Sequence, residues 1–89
     1  MPTVAVFYGI TIQMFYNDHN PPHFHARYGR AKAILRLSDG AVIGGDLPLT
    51  ARKLLREWTL VRREELEENW RRARMHEPLE QIAGPDGQG

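Results

Sequence analysis

Cysteine is absent from the chain. Disulfides, thiolate metal centres and cysteine nucleophiles are thereby excluded, and the composition is compatible with a reducing cytoplasm, the location expected for it. Long apolar runs are absent too. The longest is only a few residues, far short of the roughly 20 that a membrane-spanning helix needs. The opening Met1-Pro2-Thr3-Val4 carries neither a basic region nor the start of a long hydrophobic one, so no secretory signal is expected in it. Charge of one sign is scarce as well. Twelve Lys and Arg face eleven Asp and Glu, for a net charge of +1, unlike a dedicated nucleic-acid binder. No repeat or linker is evident, and 89 residues make one domain with a modest core. The expectation is a single domain over 1–82 and a disordered tail over 83–89, where Gly84-Pro85-Asp86-Gly87-Gln88-Gly89 offers nothing to pack.

The small net charge is unevenly spread. Residues 1–56 hold seven Lys or Arg against three Asp, and residues 57–89 hold five against eight acids. A basic front half could meet a polyanion such as RNA or DNA. The plainer reading is a dipolar surface whose acidic half is a solvated helix.

Hydrophobic periodicity supplies the fold. Ile10 to Tyr16 alternates, with Ile10, Ile12, Met14 and Tyr16 on one face and Thr11, Gln13 and Phe15 on the other. Val4-Ala5-Val6-Phe7 is an extra strand or a docked arm. In His23-Phe24-His25-Ala26-Arg27-Tyr28, the set Phe24, Ala26 and Tyr28 opposes His23, His25 and Arg27. Gly29-Arg30 suits a two-residue hairpin turn, and Ala31 to Leu37 alternates again. Ala41 to Leu47 is a weaker strand, because Gly44-Gly45 packs nothing. From Ala51 to Met75 no Gly or Pro occurs, and Leu54, Leu55, Trp58, Val61, Leu66, Trp70 and Ala73 share one helical face. Thr50 is a candidate N-cap. One helix of this length would run roughly 37 Å and overhang strands of about 23 Å, so a bend near Val61 to Glu64 is an alternative to one straight helix. The expected fold is α+β: an antiparallel meander of three to four strands, packed on one face by C-terminal helix, one long or two consecutive. The other face stays open, and part of the helix face is available for a homodimer contact.

Three of the four histidines lie within Asn17-Asp18-His19-Asn20-Pro21-Pro22-His23-Phe24-His25. Imidazole binds metals and moves protons near neutral pH, and the two prolines restrict how the flanking side chains point. His-x-His on a strand turns both rings to one side. With His19 or Asp18 as a third ligand, His23 and His25 could hold a divalent metal; without thiolates, Zn, Ni, Mn or Fe fits. No His-Glu-x-x-His motif is present. As a metal-free alternative, His23 and His25 could act as acid and base on an RNA phosphodiester, with Arg27 stabilising charge. Tyr16 or Tyr28 could then stack on a base, and Asn17, Asp18, His19, Tyr28, Lys32 and Arg36 are the further binding candidates. The bland reading leaves the histidines as hydrogen-bonded structural residues. Trp58 and Trp70 read as core.

These stretches also carry a resemblance. Phe7-Tyr8-Gly9-Ile10, Asn17 to His25, Leu47-Pro48, Glu57-Trp58 and Glu64-Glu65-Leu66 with Asn69-Trp70 resemble the small bacterial and archaeal family catalogued as domain of unknown function 4160. The resemblance covers residues 2 to about 82, and Arg62-Arg63 departs from its pattern. It implies a cytoplasmic, stand-alone prokaryotic domain, partnered by a second small protein in a toxin–antitoxin-like or regulatory module that acts by protein or nucleic-acid binding. It brings no catalytic roles. A toxin-like ribonuclease and a metal-binding domain with His19, His23 and His25 as ligands are the alternatives.

Overall fold

A computed structural model describes residues 2–16 and 18–85. Five strands, β1 (Thr3–Phe7), β2 (Ile10–Gln13), β3 (His23–Tyr28), β4 (Ala31–Arg36) and β5 (Val42–Asp46), form one antiparallel sheet in sequence order. Two helices follow, α1 (Leu49–Val61) and α2 (Arg63–Arg74). The α+β meander is as expected, but it has five strands, not three or four. The segment expected as an extra strand or docked arm is a strand, paired with β2 through Ala5–Ile12, Val6–Thr11 and Phe7–Ile10, with a register shift between Thr3 and Ala5. Tyr8 and Gly9 make that pairing possible, because both adopt positive φ (50° and 76°), as a two-residue turn matched to strand twist requires. The Gly29-Arg30 loop joins β3 to β4, with Gly29 at φ 59°.

The Gly44-Gly45 pair, which weakens β5 by pattern, is what lets β5 pair. Gly45 has φ +68°, and a Cβ there would collide with the Lys32 carbonyl oxygen on β4. Gly40 has the same logic at the next layer: its missing Cβ would lie 2.9 Å from Arg56 Cα and 3.1 Å from Thr59 Cβ on α1.

The helix breaks at Arg62 (φ −101°, ψ 21°), so two consecutive helices follow the sheet, the alternative to one straight helix. Helix α1 begins at Leu49 after Pro48, and no side chain caps it; Thr50 lies inside the helix, which corrects its reading as N-cap. The core sits between helices and sheet. Trp58 packs on Phe7 (5.0 Å between ring centroids) and edge-on to Phe24 (5.8 Å), around buried Ile10, Ile12, Leu35, Leu55 and Leu66. No described helix is long and apolar enough to cross a membrane.

After α2 the chain returns along β1. The Ile82 N–H donates to the Val4 carbonyl (2.7 Å), and the Asn69 amide both donates to and accepts from the Glu80 backbone (2.8 and 2.9 Å). Trp58 Nε1 donates to the Ala83 carbonyl (2.8 Å). One sheet edge is thereby covered. Residues 86–89 of the expected tail lie outside the described residues.

On α2, Glu68 meets both Arg72 (2.9 Å) and Arg71 (2.8 Å), Arg71 also reaches Glu77 (3.3 Å), and Glu67 pairs with Arg63 (3.3 Å). The Arg71 hydrogen bond holds Glu68 down to about 2, against burial and with help from Arg72. The Arg36 hydrogen bond and the Ala41 N–H hold Asp39 down to about 2 as well. Both values lie below the unfolded ones, so both groups stabilise the fold above pH about 4.5 and lose that contribution as pH falls towards 2. The urea midpoint should fall progressively across this window, and less steeply in high salt because these groups are exposed. A midpoint flat down to pH about 2 would contradict the assignment.

Candidate metal centre

The site is assembled by the loop before β3 and the first three residues of that strand. Phe24 is wholly buried under Trp58. Strand alternation then sends His23 and His25 to the opposite side. Asp18 approaches them from the loop. Its Oδ1 accepts the His19 backbone N–H at 3.0 Å, which steadies the carboxylate. Its Oδ2 lies 2.8 Å from His23 Nε2 and 3.3 Å from His25 Nε2.

The second ring nitrogen of His23 defines its chemistry. His23 Nδ1 lies 2.7 Å from the Pro21 carbonyl oxygen. A carbonyl only accepts, so Nδ1 carries the proton. In the neutral ring, Nε2 then presents a lone pair, and it points at a carboxylate that also only accepts. Two acceptors at 2.8 Å repel unless a cation lies between them. Either a proton on Nε2 or a metal ion satisfies the arrangement. A histidine whose distal N–H is held by a backbone carbonyl is also the usual outer shell of a metal ligand.

One donor atom from each of Asp18, His23 and His25 lies within 4.8 Å of the others. Partial burial pushes the Asp18 carboxyl up. The His19 N–H, the His25 hydrogen bond and the charges of both histidines outweigh this, and it stays below the ordinary carboxylate range. The rings are supported. His23 packs against Trp70 of α2 (5.4 Å) and His25 edge-on to Phe15 (4.4 Å).

The residues singled out by sequence separate into groups. Asp18, His23 and His25 converge. His19 is exposed and contributes its backbone N–H to Asp18, and it is not among the three converging groups. Asn17 lies outside the described residues. His23 is 8% exposed, with Trp70 packed over it. Arg27 and Lys32 are exposed and directly opposite one another on β3 and β4. Arg36 is engaged by Asp39 through Nε (3.0 Å) and Nη2 (2.7 Å). Tyr28 stands on the helix side, at the end of the sheet, 42% exposed. Tyr16 stacks on His76 (6.2 Å, 5° between planes). Phe15 and Trp70, the rings that touch the histidines, were not singled out as site residues; for Phe15 the signal was its place on the face of Thr11 and Gln13.

Fold and site together define a small α+β domain with a two-histidine, one-aspartate cluster where its sheet meets the preceding loop. The chain belongs to the family described as Domain of unknown function (DUF4160), which matches residues 9–71, more than half its length. No curated protein and no solved structure matches it.

Proposed function

We propose that this domain binds a divalent cation through Asp18 Oδ2, His23 Nε2 and His25 Nε2. The observation that carries the reading is the contact between His23 Nε2 and Asp18 Oδ2, 2.8 Å apart while Nδ1 is committed to Pro21. Two imidazoles and a carboxylate suit Zn, Ni, Mn or Fe(II), and three protein ligands leave positions for water or substrate, as in catalytic rather than structural centres. The geometry favours a shared cation over a metal-free acid and base, since both Nε2 atoms address one oxygen. It is compatible with a binding or regulatory role in a toxin–antitoxin-like pair, because a metal end and a partner surface can share one small domain.

The test is equilibrium dialysis of untagged protein against each metal, read by elemental analysis. One equivalent of at least one of these ions, retained against a weak chelator, is expected. Substoichiometric binding of all four would sink the reading and leave a proton as the cation between Asp18 and His23.

A further inference from the structure

The face of the sheet turned away from the helices carries a second arrangement. Two cross-strand rows define it. One runs Val6, Thr11, Arg27, Lys32 and Asp46, and the next runs Gln13, His25, Ile34 and Gly44. Between them lies a groove of about 360 Å³, walled by Gln13, Phe15, His25, Arg27, Lys32 and Ile34 and floored at one end by Gly44 and Gly45. The glycines leave space where other residues would fill it. This volume falls in the range of ligand sites.

Arg27 and Lys32 are direct neighbours across the strands. Like charges placed so are destabilising. Among the described residues neither has a carboxylate within 4.0 Å: Asp46, beside Lys32 in the row, faces Arg52 at 3.9 Å and the Leu47 N–H. Arg30 in the adjoining turn is also exposed, with no carboxylate partner among the described residues. Arg27 and Lys32, neither held by a carboxylate contact, thus form a basic strip on an open face that also bears an aromatic ring. A strip suits a linear polyanion, and an aromatic beside it suits unpaired bases, which duplexes do not offer.

We infer that this face binds single-stranded nucleic acid, with backbone phosphates on Arg27 and Lys32 and a base against Phe15. The contact needs no metal, so it stands apart from the cation reading, although His25 borders both sites.

The experiment is fluorescence anisotropy of a labelled single-stranded oligouridine with the full chain, from about 50 to 200 mM salt, in chelator. Wild type is expected to bind. R27A/K32A should lose affinity about tenfold and flatten the salt slope by about 1.4, since each single-strand phosphate contact contributes about 0.7. F15L should weaken binding with the slope unchanged. Circular dichroism confirms that each variant is folded. No binding by wild type, or binding untouched by R27A/K32A, would overturn the inference. Equal affinity for duplex RNA or for polyglutamate would also overturn it, the latter in favour of an acidic protein partner. A failure to retain metal in dialysis leaves these outcomes unchanged, so the two readings fall separately.

Discussion

Asp18→Asn is expected to abolish the stabilisation that the proposed divalent ion would give this domain while leaving the ion-free fold intact. Removal of a group that merely orients a metal ligand typically costs about 10- to 100-fold in affinity, so loss of a ligand should cost more than about 100-fold. An ion at about 100 times its dissociation constant adds about 2.7 kcal/mol to unfolding. For a domain of this size that is a rise in Tm of about 10 °C or more. Wild type should show that rise and Asp18→Asn should not. The ion-free comparison runs the other way. The Asn amide can donate to the histidine Nε2 atoms, where the carboxylate only accepts. The ion-free variant should therefore melt close to wild type. Thermal unfolding with and without metal checks both halves. A full metal-dependent rise in Asp18→Asn would remove Asp18 from the centre.

Strand alternation made much of this candidate site legible, and its failures have local causes. The pattern from His23 to Tyr28 separated Phe24 and Ala26, which are fully buried, from His25 and Arg27, which are not. It failed at both strand ends. His23 is buried because Trp70, far along the chain on α2, closes over it. Tyr28 is exposed because it stands at the end of the sheet. Asp18 and His19 were equally good third ligands, since no periodicity runs through a loop; the His19 N–H bond to Asp18 Oδ1 accompanies the inward turn of Asp18. Strand β5 looked weak because a side-chain pattern rewards packing. It does not register that Gly45 must lie against the Lys32 carbonyl. The helix break carried no glycine, proline or cap residue, and only the mismatch between helix and strand lengths pointed to it.

Phe24→Ala should be the most destabilising substitution in the β3 strand, and it should disturb the proposed metal centre from beneath. Phe24 is wholly buried, at the middle of a core built by strands β1 to β4 and both helices. Its ring meets the edge of Trp58 with centroids 5.8 Å apart. Truncation removes the transfer free energy of the ring and leaves a cavity that backbone hydrogen bonds on both sides, to β2 and β4, prevent from closing. Such changes cost about 3–5 kcal/mol, against a total of about 5–15 kcal/mol for a domain. The urea midpoint should fall steeply, with an unchanged slope if the variant still unfolds in one step. Phe24→Leu, which keeps most of the volume, should recover much of the loss. Because His23 and His25 flank Phe24 on one strand, their spacing across Asp18 depends on how firmly that strand is seated. Metal affinity should therefore weaken in Phe24→Ala even where the protein remains folded, and recover in Phe24→Leu together with stability. Affinity that stays at the wild-type level while stability falls would show that the loop and the Pro21 hydrogen bond alone hold the ligands in place.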